Sequence, residues 1–88
     1  MIKIWSDEAW DDYLWWQGQD RKTLKRINLL IKDIERGGGA EGVGMPEPLK
    51  GELSGFWSRR INDKDRLVYR VVGGAIHIAS CKGHYGDH

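Results

Sequence analysis

The stretch that decides the fold is RLVYRVVGGAIHIASCK, residues 66–82. Apolar and polar side chains alternate on both sides of Gly73-Gly74, and a period of two marks a half-buried strand. A glycine pair between two such runs reads as a two-residue hairpin turn. With that turn, Val72 faces Ala75, Arg70 faces His77 and Arg66 faces Cys81. Directly opposed residues lie on the same side of a sheet. Leu67, Tyr69, Val71, Ile76 and Ile78 then share an apolar side, expected to pack on helices. Arg66, Val68, Arg70, His77, Ala79 and Cys81 share the other, expected to be an open, cationic face. A slip of one residue would expose the apolar set, so this register is well specified.

Working outward, LSGFWSRRI (53–61) carries the same period and reads as a further strand, with NDKD (62–65) as the turn between them. Residues 37–52 form a loop rich in glycine and proline, and near its end stands MPEPLK (45–50). Proline fixes its own φ and pushes the preceding residue out of the helical region. Met45, Pro46, Glu47 and Pro48 therefore have little backbone freedom, which suits a solvated turn or a pre-positioned carboxylate. Upstream of the loop, Leu24, Ile27, Leu30, Ile31 and Ile34 make an apolar stripe at helical spacing. Asp20 caps that helix and Gly37-Gly38-Gly39 stops it. A first helix begins at the N-cap Ser6, with Asp7 and Glu8 in its first turn, and ends at Gly18. Ala9, Trp10, Tyr13, Leu14 and Gln17 trace one face of it, and the tryptophans Trp10, Trp15 and Trp16 are expected in core and interface. IKIW (2–5) reads as a short strand. The fold class is α+β: two N-terminal helices on one face of a twisted, mostly antiparallel sheet, in a single domain spanning 1–88.

Composition narrows the function. Of the 88 residues 40 % are hydrophobic and 31 % charged, which allows one small core and a solvated surface. The single Cys81 excludes an internal disulfide, and a reducing, cytoplasmic setting fits it. No apolar run is long enough for a membrane span and no signal peptide pattern opens the chain. One thiol and three scattered histidines argue against a zinc site. The net charge of +1 is unevenly spread, with 7 basic and 8 acidic side chains in residues 1–44 against 7 and 5 in residues 45–88. That segregation suits a protein that meets a polyanion on one face.

The candidate chemistry lies in Glu47, Lys50, Arg59, Arg60, Arg66, Arg70, His77, His84 and Tyr85. A carboxylate, a histidine and arginines suffice for metal-free RNA cleavage. One group removes the 2′-OH proton, a second protonates the departing oxygen, and a guanidinium fork steadies the charge on phosphate. Taken singly, each has an ordinary account: a turn carboxylate, the charged outer face of a half-exposed sheet, a surface histidine, a tail.

The ordered set IWSDEAWDDYLWWQ (4–17), INLLIKDI (27–34), GMPEPLKGELSGFWSRRI (44–61), RLVYRV (66–71) and HY (84–85) resembles the YoeB toxins, a family of bacterial toxin–antitoxin modules in the wider RelE superfamily. The resemblance implies a RelE-like, microbial-ribonuclease-like fold and an mRNA endonuclease that works in the ribosomal A site without a cofactor. By position it makes Glu47 the general base, Arg66 the transition-state arginine, His84 the general acid and Tyr85 the adjoining tyrosine. Lys50 and Arg60 match supporting basic residues; Arg59 and Arg70 are added here as RNA-binding neighbours. It also implies a YefM-like antitoxin as partner, and a homodimer. The sequence departs from the family at GGGAEGVG (37–44), which predicts a looser loop before Glu47, and in Gly86-Asp87-His88, which follow the His-Tyr pair. Two other readings share the fold: a toxin that targets gyrase and cuts nothing, and a module that binds RNA or protein without catalysis. Glu47, Arg66 and His84 together argue against the gyrase reading, which needs no acid–base pair; the binding module would keep its RNA binding without Glu47 or His84.

Overall fold

A computed structural model describes residues 1–84. The chain runs β1 (Ile2–Trp5), α1 (Asp7–Gln19), α2 (Arg21–Gly37), β2 (Glu47–Pro48), a single 3-10 turn (Gly51–Leu53), β3 (Trp57–Arg60), β4 (Arg66–Val72) and β5 (Ala75–Ser80). The five strands form one sheet in the order β1-β5-β4-β3-β2. β1 pairs with β5 in parallel and every other neighbour is antiparallel. Ile27, Leu30, Ile31 and Ile34 of α2 meet Leu67, Tyr69, Ile76 and Ile78 in the core, as the helical and strand periods require.

The helix ends follow side-chain chemistry. Ser6 Oγ accepts from Ala9 N at 3.0 Å and donates to Ala79 O at 2.7 Å, so one hydroxyl caps α1 and ties it to the sheet. The first helix does not stop at Gly18. It continues to Gln19, because Asp20 serves both helices: its amide bonds Trp16 O at 2.9 Å and its carboxylate takes Thr23 N at 3.1 Å. The three tryptophans of α1 divide between core and surface. Ala9 and Trp16 are buried, while Trp10 and Leu14 stand about half exposed. The Trp16 indole N–H donates to Cys81 O at 2.8 Å, which turns that side of the helix to the sheet. Trp10 lies at the rim, stacked on Tyr13.

The hairpin keeps its predicted register near the turn, with Val72 opposite Ala75 and Arg70 opposite His77. Arg66 does not face Cys81. A bulge shifts the register between Val68 and Tyr69, so that Val68 pairs with Ser80. One extra residue in β5 flips everything beyond it, so Cys81 turns from the open face into the core, where it is fully buried. The expected strand 53–61 is only four residues long, since 51–55 are taken up by the 3-10 turn and a reversal closed by Phe56 N to Leu53 O at 2.9 Å. Conversely Glu47-Pro48, read as loop, is a two-residue edge strand paired with Ser58 and Trp57. Proline is tolerated there because an edge position needs no N–H on its outer side.

Candidate active site

On the open face, at the end of the sheet where β3 and β4 are joined, a cleft of about 350 Å³ is lined by Met45, Pro46, Glu47, Ser58, Arg60, Arg66 and His84. Each arrives by a separate device. Glu47 is placed by its pairing with Ser58, and Arg60 by its pairing with Arg66. Strands are about 4.8 Å apart, so Glu47 stands roughly 10 Å across the sheet from β4, within reach of long side chains.

Arg66 and His84 depend on the turn 62–65. Asn62 Oδ1 accepts from Lys64 N at 2.9 Å and Asp65 N at 2.7 Å, and its amide donates to Asp65 Oδ2 at 3.0 Å. The turn so fixed presents two carbonyls, of Asn62 and Asp65, to Arg66 Nη1 at 2.7 and 3.1 Å. One nitrogen of the fork is thereby tied down at the cleft wall. Asp65 Oδ1 also takes Gly83 N at 2.7 Å, while Arg66 N donates to Gly83 O at 2.9 Å. This two-way tether beside Gly83 brings His84 to the cleft. The tether lies beyond the bulge in β5.

The structure divides the sequence candidates. Glu47, Arg60, Arg66 and His84 meet in the cleft. Lys50 does not line it and is exposed at the start of the 3-10 turn. Arg70 lies farther along the open face, with its guanidinium 5.0 Å from the Phe56 ring centroid, and shares a small hollow with His77. Tyr85 lies outside the described residues. Arg59 is a correction. It is fully buried on the helix side of the sheet, so it is no surface for RNA. Its donors are spent internally, on Tyr69 Oη at 3.0 Å, Val43 O at 3.0 Å, Glu41 O at 2.8 Å and the Asp33 carboxylate. Alternation explains it: Arg59 and Arg60 are neighbours on a strand and must point to opposite sides.

Sequence reading missed Asn62 and Asp65 as part of the site, although an Asn-Asp-Lys-Asp turn next to an arginine carried the signal. It also took the glycine-rich loop as slack. Instead a Cβ at Gly42 would stand 2.0 Å from Asp33 Oδ2, and one at Gly44 would stand 2.9 Å from Leu30. The glycines let this segment press against α2. Met45 follows with φ 55°, a left-handed conformation unusual for a side-chain-bearing residue. Among the described residues no group of three His, Cys, Asp or Glu side chains could hold a metal ion, and no helix is long and apolar enough to cross a membrane.

Comparison with known proteins agrees in sequence and in structure. The profile of the YoeB-like toxin of bacterial type II toxin–antitoxin systems matches residues 5–85. The toxin YoeB of Escherichia coli K12 is 57 % identical over 85 residues, covering 97 % of this chain and 100 % of the relative. A YoeB–YefM complex from Staphylococcus aureus contains a chain 48 % identical, with a TM-score of 0.91 over 97 % of this chain and 98 % of that one. A structure of the YoeB dimer from the same organism matches at 49 % identity with the same TM-score and coverage.

Proposed function

The chain belongs to the YoeB-like toxins of bacterial type II toxin–antitoxin systems, and from that membership we propose that it is a ribosome-dependent mRNA endonuclease acting in the cytoplasm. The observation that carries the reading is the cleft in which Glu47, Arg66 and His84 meet. In the proposed reaction Glu47 takes the proton from a ribose 2′-OH, and that oxygen attacks the adjacent phosphorus. The P–O5′ bond breaks as His84 protonates the departing oxygen. Arg66, with one guanidinium nitrogen already anchored, steadies the negative charge that grows on the phosphoryl oxygens. The products are a 2′,3′-cyclic phosphate and a 5′-hydroxyl. Arg60 in the cleft and the exposed Lys50 bind flanking phosphates, and Arg70 extends that path along the open face. Tyr85 adjoins the acid and stacks on a base or donates to phosphate. Each proton transfer has its own side chain, so the step as written calls for no metal ion.

The partners proposed are the ribosome with its A-site message, a YefM-like antitoxin and a second copy of the chain. The Staphylococcus aureus complex and dimer support the last two. Exposed Trp10, Leu14 and Trp15 supply apolar surface of the kind such contacts use.

The test is a cell-free translation reaction given the purified chain, with cleavage mapped by primer extension. Cuts at A-site codons are expected, reduced about 10²–10⁴-fold in Glu47→Gln and in His84→Ala. Intact message with the unaltered chain would reject the nuclease reading and leave the gyrase toxin and the binding module to be tested next. RNA binding that survives both substitutions without any cleavage would favour the non-catalytic module.

A further inference from the structure

The carboxylate proposed as base follows a segment with five glycines in residues 37–44, yet the segment is held at many points. Arg59 is at the centre of them, bonding two loop carbonyls itself and two side chains, Asp33 and Tyr69, that bond others. Its Nη1 donates to Val43 O and to Asp33, its Nη2 to Glu41 O, and its Nε to Tyr69 Oη. Tyr69 in turn donates its hydroxyl proton to Gly39 O, and Asp33 Oδ2 accepts from Val43 N at 2.9 Å. One step on, Arg60 N donates to Gly44 O at 2.7 Å. Five backbone groups of the loop, at Gly39, Glu41, Val43 (both N and O) and Gly44, are thus bound by β3, β4 and α2.

From Gly44 only Met45 and Pro46 intervene before Glu47. Met45 is in the left-handed region and Pro46 has a fixed φ. These two residues have little room to absorb a displacement, so a shift of the loop is carried to the carboxylate. Arg59 and Arg60 are also consecutive on one strand. The first faces the helices and holds the loop; the second faces the cleft.

We propose that Arg59, Asp33 and Tyr69 are positioning residues for Glu47: from the helix side of the sheet they clamp the loop 39–44 and so set the place of the carboxylate on the open side. This rests on the nuclease reading of the cleft. None of the three lines the cleft, so their effect on the reaction passes through Glu47.

Three mild variants test it. Tyr69→Phe deletes one hydroxyl and keeps the ring. Asp33→Asn keeps the shape and removes the charge. Gly42→Ala removes no polar group but puts a Cβ 2.0 Å from Asp33 Oδ2. Each is measured in the cell-free reaction, alone and combined with Glu47→Gln. A misplacement of about 1 Å costs as much as 10²-fold in rate, so a fall of roughly tenfold to hundredfold at saturating toxin is expected. The half-saturating toxin concentration should stay the same. In the Glu47→Gln background, the residual rate should fall no further. An equal fractional loss in that background, or a rise in half-saturating concentration with the maximal rate intact, would overturn the proposal.

A readout independent of activity separates this proposal from the nuclease reading. Amide hydrogen exchange at Val43 and Arg60 should quicken in all three variants, while Ile76 and Ile78 stay protected. Unchanged exchange at Val43 and Arg60 overturns the clamp, whatever the enzyme does. An unaltered chain that never cleaves RNA overturns the assignment of Glu47 as the group being positioned.

Discussion

Asp33 gathers two donors on one oxygen, the Val43 amide and the Arg59 guanidinium. The amide bond first, and then the arginine, hold its carboxyl below the ordinary value of 3.8. A carboxylate depressed in the folded state contributes its stability in full above that ordinary value and loses it as pH falls through the lowered one. The Val43 amide resonance should therefore titrate with a midpoint below 3.8, and the loop should loosen there. A midpoint at or above the ordinary value, followed by NMR, would show that neither bond persists in solution. Tyr69 moves the other way. Burial pushes its hydroxyl above 10.0, which keeps the proton available for Gly39 O. An acid and a phenol shifted in opposite directions serve the same loop.

At the scale of elements, β2 is the smallest and bears most directly on the cleft. Pro46 and Pro48 flank Glu47, and the strand pairs with only Ser58 and Trp57. So short a strand has few hydrogen bonds to fix it, and the prolines supply the missing order by restricting the unbound chain. Replacing both with alanine should lower cleavage at saturating toxin by roughly tenfold, with ribosome binding in a pelleting assay little changed. Equal loss of cleavage and binding would assign the prolines to docking instead. The hairpin β4–β5 was legible in advance because its period and its glycine pair agree. β2 was not, since two residues cannot display a period and proline argues against a strand. The bulge escaped for a related reason. It arises where Ser6, 73 positions away, bonds the Ala79 carbonyl, and no local pattern records that contact. Residue type and family resemblance singled out Glu47, Arg66 and His84, which the fold brings into one cleft. Arg59 was misread because only the register of β3 separates a buried guanidinium from its exposed neighbour.

The whole molecule closes around Cys81, where α1 meets the end of the sheet. The thiol is fully buried and lies 3.6 Å from Ala9 O. Burial, reinforced by Asp12 and Asp65, pushes it up to about 12, so the reactive thiolate is scarce at neutral pH. Alkylation at pH 8 should be negligible in the native protein and complete once denaturant opens it. Its midpoint should coincide with that of tryptophan fluorescence, because Trp16 bonds the carbonyl of the same residue. Labelling well before the fluorescence transition would show that α1 leaves the sheet as a separate unit.

The position of β5 also governs when the protein comes into being. Ile2 pairs with Ala75 and Trp5 with Ile78, so the earliest strand made has no partner until the latest one exists. β5 also completes β4, and it leads to the tether that delivers His84. A nascent chain halted before residue 75 possesses the helices and the glutamate but neither a finished sheet nor an acid. Such distant pairing delays folding until synthesis has nearly run its course. Under the proposed activity, each ribosome that translates the toxin is protected by topology: its product gains a cleft only once the last strand has emerged.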